Sequence, residues 1–201
     1  MKTKLLFAAL LLTGALSAQE IHQIPTTFEE FQDILEVNGY KANSFDYSAF
    51  ESGAWDVSLV CRSYENRELV REFTVSTFTP RSKGRTITLS TLPSKADSLG
   101  LFYISIPDAG RFTRSLKLHP LYFPGSPTPR YFYQARPFKP STLKYTEDDF
   151  IPLLLYGSGW MEESVGAIRF CGEREIDPEM SAEVLKHLPQ YYIFGLKYVK
   201  R

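Results

Sequence analysis

The first stretch that invites a chemical reading is Tyr156-Gly157-Ser158-Gly159-Trp160, a serine between two glycines. A strand-to-helix nucleophile elbow needs a glycine two residues before the serine, and Tyr156 stands there instead. The bland reading, a glycine-hinged loop, therefore takes precedence over Ser158 as a nucleophile. Two carboxylates follow, Glu162 and Glu163, beside Trp160. A tryptophan next to acids suits a sugar cleft, and glycoside hydrolysis uses a carboxyl pair roughly 5–10 Å apart. Glu29, Glu30 and Glu147-Asp148-Asp149 are accounted for by helix N-termini, where acids offset the dipole. His22, His119 and His187 lack a His, Cys or carboxylate at metal-ligand spacing, so no metal site is expected. No phosphate loop, dinucleotide fingerprint or calcium loop is present, and no cofactor is implied.

Aromatic content is the stronger signal. The chain of 201 residues holds 15 Phe and 12 Tyr, and aromatics make up 14% of it. Tyr and Trp faces serve as stacking platforms and interface anchors, with a polar handle for water or ligand. Those in or beside the proline-rich stretch 119–160 form the candidate ligand set: Tyr122, Phe123, Tyr131, Tyr133, Tyr156 and Trp160, with Glu162 and Glu163. The competing reading is that these rings fill a core.

The elements that would position them follow from pattern. Thr27 with Glu30 forms a capping box, Phe28, Phe31, Ile34 and Leu35 recur at helical spacing, and Gly39 ends the helix. Trp55 to Ser63, Glu68 to Phe78, Arg85 to Thr91, Leu101 to Ile106 and Phe112 to Leu118 alternate with turn-rich links, the mark of an antiparallel meander. Four prolines within 119–130 make a long loop, and Tyr131 to Arg136 is a further strand candidate. Thr146 or Asp149 would cap a short helix, with Pro152 in its first turn. Val165 to Cys171 reads as a strand. Asp177-Pro178 opens a last helix with Met180, Val184, Leu185 and Leu188 on one face. Tyr192, Phe194, Leu196 and Tyr198 line a C-terminal strand. The expected class is α+β: one antiparallel β-sheet, flat or strongly curved, covered by an N-terminal and a C-terminal helix.

Cys61 continues the inward set Trp55, Val57 and Leu59, whereas Cys171 shares parity with Ala167 and Arg169. A Cys61–Cys171 disulfide and two separate buried thiols both stand as readings.

Residues 1–18 have the layout of a secretory signal peptide: Lys2 and Lys4, the apolar run Leu5 to Leu12, and small residues at Ala15-Leu16-Ser17-Ala18. The run is too short for a membrane span, which takes roughly 20 apolar residues. Without this segment the 23 Lys and Arg become 21, against 23 acids, a formal charge of −2. That balance offers no footprint for nucleic acid and no polybasic membrane patch. Residues 19–201 fit a single domain.

The ending Leu16-Ser17-Ala18-Gln19-Glu20 and the tyrosine-rich stretch Leu188-Pro189-Gln190-Tyr191-Tyr192-Ile193-Phe194 resemble uncharacterised exported domains of Bacteroides-type bacteria. The resemblance implies a periplasmic or secreted home and transfers no catalytic residue. Three functions are carried forward: an exported module binding a glycan or an envelope protein through aromatics, a glycan or cell-wall hydrolase using carboxylates near Trp160, and a carrier of small apolar ligands.

Overall fold

The computed structural model describes residues 28–50, 52–82, 84–140, 150–170 and 172–201. The expected signal segment 1–18, His22, the expected caps Thr27, Thr146 and Asp149, the acids Glu147 and Asp148, and Cys171 lie outside the described residues.

Among the described residues one helix, α1 (Phe28–Val37), precedes thirteen strands: β1 (Lys41–Asp46), β2 (Trp55–Glu65), β3 (Glu68–Phe78), β4 (Thr86–Leu92), β5 (Leu99–Ile106), β6 (Gly110–Lys117), β7 (Leu121–Tyr122), β8 (Pro129–Arg130), β9 (Tyr133–Pro137), β10 (Ile151–Ser158), β11 (Trp160–Glu162), β12 (Ala167–Arg169) and β13 (Gln190–Lys200). Two antiparallel sheets dominate, ordered β1-β4-β5-β6 and β3-β2-β13-β10-β9, with two small hairpins, β7–β8 and β11–β12. The sheets pack face to face. Ile87, Leu89, Phe102 and Ile104 of the first meet Leu59, Cys61, Leu154 and Phe194 of the second in one buried cluster. The architecture is therefore a β-sandwich.

This corrects the α+β expectation in four places. The meander is split: β2 and β3 belong to one sheet, and β4, β5 and β6 to the other. The helix α1 covers neither sheet, for Phe31 and Ile34 are 51% and 55% exposed. The C-terminal helix is replaced by turns and a 3₁₀ turn, Glu183–Lys186. The Asp177 carboxylate accepts the Glu179 N–H at 2.9 Å, and Met180 takes φ +59°, so Asp177-Pro178 opens a turn that the left-handed residue terminates. The apolar residues Val184, Leu185 and Leu188 still do the burying, as a cover rather than a helix face. The helix expected after Thr146 and Asp149 is strand β10, with Pro152 beside a register shift where its missing N–H is tolerated.

The central strand is β13. It pairs with β2 along its whole length and with β10 on the other side. Tyr192, Phe194, Leu196 and Tyr198 face the inner cluster, and Tyr191 and Ile193 face an outer one with Leu155, Ile176, Val184 and Leu188. A strand buried on both faces reads as a continuous apolar run, which Tyr191 to Leu196 is. Gly195 sits on the outer side. The Phe150 ring lies directly on it, and a Cβ there would come 2.5 Å from the Ile151 carbonyl oxygen. Arg62 stacks over that ring at 3.8 Å from its centroid, held by Glu72 at 2.7 Å. Cys61 is a free thiol, fully buried on the inner face, and burial pushes its pKa up.

Each end of the sandwich is tied by a buried polar knot. At one end Asp108 accepts the Tyr47 hydroxyl at 2.8 Å and the Ser82 backbone N–H at 2.8 Å. Burial acts to raise its carboxyl pKa, but these donors outweigh it and hold it below the usual range. At the other end stands Gln190, 2% exposed. Its carbonyl accepts the Tyr133 hydroxyl and, at 3.1 Å, the His119 N–H. Its own N–H donates to Ser158 Oγ at 3.2 Å. Tyr192 completes the link by donating to the Lys117 carbonyl.

Two outcomes follow. Gly195→Ala must displace Phe150 from the strand, and overpacking of this kind costs about 1–3 kcal/mol, read as a lower urea midpoint with unchanged slope. Gln190→Leu keeps the volume but leaves the buried Tyr133 hydroxyl without its acceptor, while the His119 N–H keeps only its bond to that hydroxyl at 3.0 Å. The same denaturation should show a loss of about 2 kcal/mol, and an unchanged midpoint would contradict the role given to the knot.

Candidate functional site

A groove of about 880 Å³ opens beside the Gln190 knot, where the ends of β4 and β5 approach the edge strand β9. Its floor is Tyr133, Ala135, Tyr156 and Gly100. Gly100 is there for room: a Cβ would come 2.7 Å from Tyr156 Cε1. The Tyr156 ring is fixed edge-on to Phe102, centroids 4.9 Å apart, and tilted against Tyr133 at 5.2 Å. Burial raises the Tyr156 hydroxyl pKa to about 12, so it stays a neutral donor. Among the described residues that hydroxyl has no hydrogen-bond partner.

Three chain segments wall the floor. The turn between β4 and β5 contributes Leu92, Pro93 and Asp97. The junction of α1 and β1 contributes Glu36, Gly39 and Lys41. The arm around β7 and β8 contributes Phe123, Arg130, Tyr131 and Phe132. Rings, two cations and two carboxylates thus share one concavity, a composition that can stack on an apolar face while bonding to hydroxyls or amides around it.

The candidate residues divide. Tyr131, Tyr133 and Tyr156 come together in the groove, with Phe123 at its wall. Tyr122 is 54% exposed on β7 and is not among the lining residues. Trp160 does not join them: its ring stacks on His187, centroids 5.2 Å apart, and packs against the outer cluster. Glu162 and Glu163 stand at the turn of the β11–β12 hairpin, where Glu162 accepts the Ser164 hydroxyl at 2.9 Å. Ser158 is 1% exposed, its hydroxyl occupied by Gln190. The stretch around it is a strand end rather than a hinged loop.

The sequence reading did not single out Lys41, Asp97, Gly100, Arg130 or Gln134. Lys41, Asp97 and Gly100 enter the groove through a long-range approach of chain segments, whereas Arg130 and Gln134 are chain neighbours of Tyr131 and Tyr133. Among the described residues no group of three or more His, Cys, Asp or Glu could hold a metal ion. No helix among them is long and apolar enough to cross a membrane.

No curated protein and no solved structure matches the chain. The family described as Domain of unknown function (DUF5041) matches residues 10–200. That span takes in both sheets, the outer cover and every segment of the groove, and the chain belongs to the DUF5041 family.

Proposed function

We propose that the protein is an exported, non-enzymatic binding module of the periplasm or the extracellular space, whose groove takes a segment of neutral glycan. The observation that carries this reading is the convergence of Tyr131, Tyr133 and Tyr156 in one groove of about 880 Å³. Sugar rings present apolar faces edged by hydroxyls, and they match aromatic faces bordered by polar side chains. Lys41 and Arg130 are balanced by Glu36 and Asp97, which suits a ligand without net charge. Export rests on the signal-like residues 1–18 and on the resemblance of the two chain ends, with residues 19–201 folding as one unit.

The other two readings gain no site. The carboxylates beside Trp160 stand at the turn of a hairpin that reaches the groove through Ile168, and neither lines it. The space between the sheets is filled by Phe50, Phe102, Phe194 and Tyr198, which leaves an apolar cargo no evident place.

The test is a thermal-shift and calorimetry panel of muropeptides and of host and plant oligosaccharides. One glycan class should stabilise the fold, by roughly 2.7 kcal/mol at a hundred times its dissociation constant. Tyr131→Ala, at the half-buried wall, should weaken that binding about tenfold, or ~1.4 kcal/mol, with little change in melting temperature. A panel without a shift, or a variant that binds as tightly as the parent, would sink the assignment.

A further inference from the structure

We propose that α1 is a lid that closes over the groove. The proposal deepens the binding reading and rests on it for its purpose, though not for its test. The helix is ten residues long, Phe-Glu-Glu-Phe-Gln-Asp-Ile-Leu-Glu-Val. A helix of that length is marginal in water unless its apolar side is packed. Here the side is not packed: Phe31, Ile34 and Val37 are 51%, 55% and 89% exposed. What holds α1 in shape is its own C-terminal cap. The Gly39 N–H bonds the Glu36 carbonyl at 2.9 Å, the Tyr40 N–H bonds the Leu35 carbonyl at 3.0 Å, and Asn38 Nδ2 bonds the Ile34 carbonyl at 2.7 Å. One bond ties the cap to the first sheet, from the Thr91 hydroxyl to the Gly39 carbonyl at 3.1 Å.

The surface that would satisfy the helix adjoins it. Glu36 and Gly39 already line the groove, so the chain leaves the helix at the groove's rim. The facing walls present Phe132, 41% exposed, and Leu99, 38% exposed. Charge is complementary. Four of the ten helix residues are acids and none is a base. Lys41 and Arg130 at the rim make no ion pair among the described residues. Reach is sufficient, because ten residues span about 15 Å and the groove volume corresponds to a cube about 10 Å on edge. Gly39, at φ +85°, completes the cap, so rotation about Tyr40, just past it, carries helix and cap as a rigid body at the cost of the Thr91–Gly39 bond. Closure lays Phe31 and Ile34 against Phe132 and Leu99, and a ligand beneath would be shut from water and released more slowly.

The test needs no ligand. In a Cys171→Ser background, with Cys61 buried and inert, Ile34→Cys and Phe132→Cys are combined and treated with a short bismaleimide. The control pairs Ile34→Cys with Val199→Cys, at the opposite end of the sandwich. Each variant is first shown to melt cooperatively. The lid predicts cross-linking within one chain at least tenfold faster than the control and independent of protein concentration. A rate no faster than the control overturns it. So does cross-linking that falls on dilution and yields dimers, since the helix would then serve a second copy. Glycan binding with no cross-link would defeat the lid alone, and a fast cross-link with no glycan binding would defeat the ligand assignment alone.

Discussion

The structure depends on the burial of β13 on both faces. Its inward residues Phe194 and Tyr198 close the sandwich, and its outward residues Tyr191 and Ile193 anchor the cover built from residues 176–188. Each large apolar side chain removed from water contributes about 1.5–3 kcal/mol, and no other strand has both faces covered over such a length. Gln190 at its first position extends this role to the site. The knot around that amide fixes Tyr133, and Tyr133 supports Tyr156 on the groove floor. The floor of the groove is thus set by the same strand that organises the core.

Much of the sheet content was legible because strand alternation is a local signal. Ile87 and Leu89 against Thr86 and Thr88, or the inward set Val57, Leu59 and Cys61, alternate with period two and were buried as that pattern requires. β2 and β3 are joined by a tight turn in which Asn66 and Arg67 both take positive φ. Partition of those strands between two sheets was not legible. It depends on which faces meet at long range, and a meander reads the same in one sheet or two.

The errors share a cause. Residues 177–188 have apolar side chains at near-helical spacing because they cover a sheet face, and cover segments need that spacing whether or not they are helical. Pro152 pointed to a helix start, but it also fits a strand irregularity, which is where it lies. In the site, tyrosines from the proline-rich stretch were found from composition alone. Trp160 looked the same in sequence and is used for packing on His187. The other wall of the groove comes from residues as distant as Glu36, 120 positions before Tyr156, and no local pattern marks it.

The account stands or falls on β13 as the strand that opens last. Native-state hydrogen exchange, followed residue by residue as denaturant rises, measures this directly. The amides of Ile193, Phe194, Gly195 and Leu196 should exchange only through global unfolding, with an opening free energy equal to that of denaturation, while α1 and the β7–β8 arm open far earlier. Exchange of those β13 amides through a smaller, sub-global opening would show that the sheets and the groove are held by something else.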